Sequence, residues 1–128
     1  MKSWKAIEAL GYTYYLEKGY KVFIPIIELL CCDFIVEKKG KFIRVNVKKA
    51  GLKNKKSKNS WSVSISSPRF DDTMEKVKRK IEFLERNIDI YLVYLPFSKS
   101  FIELKGDFFI GSNSKSKLIP KDLLPLLK

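Results

Sequence analysis

Polar and apolar positions alternate with two different periods along this chain, and the switches between them mark its elements. Ile7, Leu10 and Tyr14 recur at i, i+3 and i+7, which predicts a helix over residues 3 to 18 with these three as its core stripe. Ser3 suits the cap at its start and Gly19 the turn at its end. Glu8 lies beside the stripe, in line with Gly11, Tyr12 and Tyr15. A helical glycine costs about 1 kcal/mol relative to alanine, so close packing is expected at Gly11. Tyr20 to Pro25 reads as a short strand with Pro25 at its end or on an edge. Ile26 to Cys32 is apolar and fits either type, and is expected to carry the chain onward and add buried surface.

From Cys32 to Lys48 the period changes to two. Phe34 and Val36 alternate with Asp33, Ile35 and Glu37; Ile43, Val45 and Val47 alternate with Phe42, Arg44, Asn46 and Lys48. Between the two runs stands Lys39-Gly40, which suits a two-residue turn with glycine at a positive φ. Paired positions then sum to 79, so Asp33 falls directly across from Asn46, with Lys48 two residues on and on the same face. A carboxylate, a carboxamide and an ammonium would converge at one strand end.

Beyond the hairpin, Trp61 to Ser66 alternates strictly and predicts a strand, its serines forming a solvated or phosphate-contacting face. Ser67-Pro68 ends it, and Arg69 follows as a candidate phosphate contact. Asp71 or Asp72 is expected to cap a helix over 72 to 87 with Met74, Val77, Ile81 and Leu84 as its stripe. Its basic face is either solvated surface or part of a binding footprint. Ile88 to Leu95 is almost continuously apolar, as in a strand buried on both faces at a sheet centre. Phe101 to Leu104 reads as its antiparallel neighbour, Phe108 to Ile110 as a short strand or a tucked loop, and Ser112 to Ser116 as a turn-rich connection. Pro120 opens a short leucine-rich helix interrupted by Pro125, which packs on the core or meets a second subunit.

Length and composition narrow the function. At 128 residues the chain suits a single domain over 1–128. No apolar run reaches the ~20 residues of a membrane span, and the opening lacks a signal-peptide core. Adjacent Cys31 and Cys32 read as small buried hydrophobes in a reducing compartment, and without any histidine a soft metal site lacks partners. The net charge is +12, and Lys38 to Phe70 holds eleven lysines or arginines with no acid. That run points to a polyanion, with a mobile basic loop at about 49–60 beside the hairpin. Arg44, Lys49, Lys53, Lys55, Lys56, Lys58 and Arg69 are the candidate phosphate contacts.

The hairpin resembles the core of the PD-(D/E)XK nuclease superfamily, in which an aspartate on one strand and an acid-x-Lys on the next bind a divalent metal. Asp33 matches the aspartate, Asn46 the second acid and Lys48 the lysine, with Cys32 in place of proline; branches with Gln-x-Lys come nearest to Asn46-Val47-Lys48. Such branches include an intron-encoded homing endonuclease and Holliday-junction-resolvase-like proteins, and they carry a glutamate on the first helix, where Glu8 stands. The resemblance implies an α/β restriction-endonuclease-like core, with a central mixed β-sheet flanked by helices. It further implies a metal-dependent DNA endonuclease, junction-specific or site-specific. Asp33, Glu8, Asn46 and the Val47 carbonyl would hold Mg²⁺ or Mn²⁺, and Lys48 would orient water or stabilise the transition state. Asn46 in place of a carboxylate removes one negative charge, so metal affinity is expected to fall. The other reading is a basic DNA-binding protein on the same fold that does not cleave. Cutting duplex or branched DNA on both strands calls for a homodimer or larger symmetric assembly. The setting expected is a cytoplasm, in association with a nucleoid, of a virus or mobile element.

Overall fold

The computed structural model describes residues 3–27, 32–54, 57–65, 73–112 and 116–125. The chain runs α1 (Trp4–Glu17), β1 (Lys21–Phe23), β2 (Phe34–Lys38), β3 (Lys41–Lys49), β4 (Gly51–Asn54), β5 (Ser57–Ser64), α2 (Met74–Asn87), β6 (Ile90–Leu95), β7 (Ser100–Lys105) and β8 (Ser116–Leu118), then a 3-10 turn at Lys121–Leu123. Five strands form a mixed sheet in the order β1-β2-β3-β6-β7, with β3 and β6 parallel and the other neighbours antiparallel. A second, three-stranded sheet has the order β4-β5-β8. The fold is α/β: two long helices and a mixed sheet. No helix among the described residues is long and apolar enough to cross a membrane.

Period-two alternation gives each face of the main sheet its own core. Phe34, Val36, Val45, Val47, Leu92 and Tyr94 face α1 and pack with Ile7 and Tyr15. Tyr91, Val93 and Leu95 lie on the other face, in a cluster with Val77, Ile81 and Leu84 of α2 and Trp61 and Val63 of β5. The β2–β3 turn is as the sequence predicts: Lys39 and Gly40 both have positive φ, 54° and 82°, and Phe34↔Val45 through Lys38↔Lys41 follow the expected register. Gly40 accepts this left-handed geometry without a Cβ penalty.

Several expectations change. The buried face of α1 is Ile7, Gly11 and Tyr15, not Ile7, Leu10 and Tyr14; Leu10 is exposed. The stripe turns because Gly11 admits the sheet: a Cβ there would lie 3.2 Å from Leu92 Cδ2. The segment expected to be a loop at 49–60 contains β4 and β5, paired Gly51↔Ser62 and Leu52↔Trp61. Ser60, Ser62 and Ser64 alternate with Trp61 and Val63, which the ribbon buries. β3, not β6, is the central strand, although β6 is paired on both sides and buried as expected. Thr73 caps α2, its side chain accepting from the Lys76 amide, in the place expected for Asp71 or Asp72, which lie outside the described residues. Phe108 to Ile110 form a turn that tucks Phe109 into the core. Among the described residues after Pro120, up to Pro125, there is one 3-10 turn and no α-helix, and Ile119 before it is buried. Ile26 and Ile27 add no buried surface and are exposed. Cys31, Lys55, Lys56, Ser67, Pro68 and Arg69 lie outside the described residues.

Candidate active site

The β2–β3 ladder ends at Phe34↔Val45, one residue short of the predicted Asp33–Asn46 pair. Instead the Asp33 amide donates to the Val45 carbonyl at 2.8 Å, so Asp33 stands as a bulged residue at the strand end. This bulge re-aims its side chain: Asp33 Oδ2 accepts from the Val47 amide at 2.6 Å. An extended residue points its N–H and C=O the same way, so the Val47 carbonyl faces the same side of β3 as the amide that Asp33 accepts from. The Val47 side chain is buried against α1. Asn46 and Lys48 are half-buried on the opposite face of β3.

Glu8 and Asp33 meet at a cavity of about 480 Å³ between α1 and the segment after β1. Its polar wall is Lys5, Glu8, Tyr12 and Asp33; Ile24, Pro25, Ile26, Ile27 and Cys32 supply the apolar wall. Lys5, Glu8 and Tyr12 share a wall because they stand three and four residues apart on α1. Closure of α1 over Gly11, and the edge-on packing of Tyr12 against Phe34 at 5.0 Å between ring centroids, hold that wall in place.

Electrostatically the two carboxylates are under load. Burial raises the Asp33 carboxyl above its usual range, against the lowering effects of the Val47 hydrogen bond and the Lys48 charge. Glu8 is raised by burial first and by Asp33 second, with Lys5 opposing. Burial also pushes the Lys48 ammonium down to about 8, against the stabilising charge of Asp33 and with a further push from Lys80. Lys48 Nζ donates to the Ile65 carbonyl at 3.4 Å. Two mutually repelling carboxylates facing one cavity, with a main-chain carbonyl beside them, make a hard oxygen donor set that fits a small divalent cation. Among the described residues no three acidic, histidine or cysteine side chains cluster, so a cation here would draw on amide or carbonyl oxygen and water as well.

The structure thus brings Glu8 and Asp33 to one cavity and ties Asp33 to Val47, with Lys48 close enough to feel its charge. It takes Arg44 elsewhere. The Arg44 guanidinium donates to both Asp89 oxygens at 3.0 Å and to the Arg86 carbonyl at 2.9 Å; this fork first of all holds the Asp89 carboxyl below its usual range. Arg44 therefore fastens β3 to the end of α2 through an internal ion pair. Lys49 is half-buried on the α1 face. Lys53 lies on β4 and Lys58 on β5. Sequence reasoning set Tyr12 in line with Glu8 without assigning it to the site; it missed Lys5, which helical spacing from Glu8 would have found, and Lys80, which only the tertiary approach of α2 places near Lys48.

The chain matches the family described as PD-(D/E)XK endonuclease over residues 6–121. No curated protein matches it. Among solved structures it is similar to a bacterial homing endonuclease, I-Ssp6803I, at 20% identity and a TM-score of 0.64, over 93% of this chain and 76% of that one.

Proposed function

This chain belongs to the PD-(D/E)XK endonuclease family, and from that premise we propose that it is a single-domain, divalent-metal-dependent endonuclease acting on DNA. The observation that carries the reading is the carboxylate of Asp33, pinned by the Val47 amide at the strand end and sharing a cavity with Glu8. Glu8, Asp33, the Asn46 amide oxygen and the Val47 carbonyl would hold Mg²⁺ or Mn²⁺. When bound, the ion supplies Lewis-acid activation of water and of the phosphate.

The chain's own groups divide the remaining work. The Val47 amide fixes which Asp33 oxygen is committed to the backbone and leaves the other for a ligand. Lys48 is charged below about pH 8, and in its half-buried setting it attracts a non-bridging phosphate oxygen more strongly than a surface lysine would. Tyr12 and Lys5 complete the polar wall. Site-specific cutting of the homing type is the form of activity that the structural neighbour's name suggests, with branched DNA as the other substrate to be tried. Because each chain offers one such site, cleavage of both strands would require a symmetric dimer or larger assembly.

The test is cleavage of supercoiled plasmid and of a synthetic four-way junction with Mg²⁺, Mn²⁺ or EDTA, beside Asp33→Ala and Lys48→Ala. Metal-dependent cutting that disappears in both variants is the expected result. DNA binding without cutting under any metal, unchanged by either substitution, would replace this reading with that of a DNA-binding protein lacking catalysis, the reading that Asn46 in place of an acid favours. A second measurement bears on the ion directly: Mg²⁺ or Mn²⁺ should raise the Tm of the wild type and leave that of Asp33→Asn nearly unchanged.

A further inference from the structure

The apolar wall of the cavity carries the two most exposed large hydrophobic side chains among the described residues, Ile26 and Ile27. Strand β1 ends at Phe23, and the next four described residues run on past it along the rim of the cavity that holds Glu8 and Asp33. Ile26 is fully exposed at 102%, Ile27 is 75% exposed and Ile24 is 57% exposed. Among the described residues, neither Ile26 nor Ile27 belongs to either core cluster. Pro25 precedes them and fixes its own backbone angle, which limits how far the rim can fold back.

We propose that Pro25, Ile26 and Ile27 are a wedge that enters a base step of the DNA next to the phosphodiester being cut, opening the stack there. The inference rests on the nuclease reading above and adds to it how the substrate is deformed. Continuity carries the argument. The rim lines the same cavity as Glu8 and Asp33, so a substrate held by those carboxylates lies beside it. On a nucleic acid the sugar-phosphate backbone is polar and anionic, and the apolar faces large enough to cover two isoleucines are the faces of bases. The opposite wall carries Lys5, whose charge suits the backbone on the other side. Isoleucine and proline inserted between base steps are a known physical means of unstacking and kinking a duplex. The substrate favoured by such a wedge is DNA whose step at the cut is already weak, through a mismatch, a flexible pyrimidine–purine step or a branch point.

The experiment uses the full chain and the double variant Ile26→Ser with Ile27→Ser, neither residue being part of the carboxylate–lysine machinery. The cut position is mapped first on the wild type. 2-Aminopurine is then placed at that step, and its fluorescence, which rises on unstacking, is followed on binding in Ca²⁺. The wild type should brighten the probe and the variant should not. The variant should cut fully paired DNA roughly tenfold or more slowly, and recover to within about twofold of the wild type on DNA carrying a mismatch at the step. That rescue separates a wedge from a general loss of fold. An unchanged probe with a wild type that binds and cuts would overturn the wedge and leave the nuclease reading standing. Equal slowing on paired and mismatched DNA would also overturn it. So would conversion of an assembled wild type into a monomeric variant by sedimentation, which would assign the isoleucines to an interface between copies. A wild type that neither binds nor cuts DNA would remove the nuclease reading and the wedge with it.

Discussion

Lys48 holds its ammonium where burial works against the charge and Asp33 works for it. Burial wins, and the group is pushed down to about 8 from 10.5. Between about pH 8 and 10.5 the folded state therefore binds fewer protons than the unfolded chain, and the wild type gains stability as pH rises through that window. Lys48→Met removes the buried charge and keeps most of the volume. It should melt higher than the wild type at pH 7, by up to about 3 kcal/mol, and the advantage should disappear by about pH 10.5. Thermal unfolding of both proteins across pH tests this, and an advantage independent of pH would sink it. Asn46 offers the reverse substitution. Asn46→Asp adds a negative charge near Asp33, so the metal-free protein should lose stability while the Mn²⁺ midpoint falls by roughly tenfold or more, a change of ~1.4 kcal/mol. Thermal unfolding without metal reads the first effect and calorimetric titration the second. Neither residue's burial could be inferred from the chain: Asn46 and Lys48 are common residues, and only the packing of the second sheet and α2 over that face of β3 half-buries both and makes the Lys48 charge costly.

At the level of elements, the stretches that were legible are those whose determinants are local. The β2–β3 hairpin follows from strict alternation on each side of Lys39-Gly40, and its register is as the turn dictates. The same turn holds Lys39 at a φ of 54°, a side chain in a left-handed conformation. Lys39→Asn should stabilise the protein by about 0.5–1 kcal/mol, because asparagine tolerates that region better, and should leave DNA cleavage unchanged, since the turn lies at the opposite end of the hairpin from Asp33. A denaturant midpoint and a plasmid assay decide it. What was not legible depends on distant partners or on silent residues. β4 and the first residues of β5 read as loop by composition, whereas the alternation from Trp61 marks the rest of β5; β5 also finds a second neighbour in β8, about fifty residues later in the chain, through Ser62↔Leu118 to Ser64↔Ser116. The core face of α1 was misread because Gly11, buried at its centre, has no side chain to register in a hydrophobic pattern. The bulge at Asp33 was invisible for a related reason: alternation predicts where a ladder should run, not where it stops.

Over the whole molecule the charge is distributed unevenly. Eleven bases and no acid fall between Lys38 and Phe70, whereas the rest of the chain holds fifteen bases against fourteen acids. The excess thus belongs almost entirely to β3, β4, β5 and the residues that follow them. α2 does not share it to the same degree: Arg79 pairs with Glu75 at 2.6 Å, and Glu82 and Glu85 lie on the same helix. If DNA lies along the basic segment, about five neutralised phosphates would give a slope of log K on log salt of roughly −4 to −5. Replacing Lys53, Lys55, Lys56 and Lys58 by alanine should then flatten the slope by about one for each phosphate that is no longer neutralised. Lys76→Ala with Lys78→Ala on α2 should leave it unchanged. A slope that responds equally to both sets would mean that binding follows net charge alone and that no face is dedicated to DNA. A response confined to the first set would place the duplex across β4 and β5, next to Lys48. The paired strands that replaced the expected loop would then act as a two-stranded ribbon, an element of a width that the major groove admits.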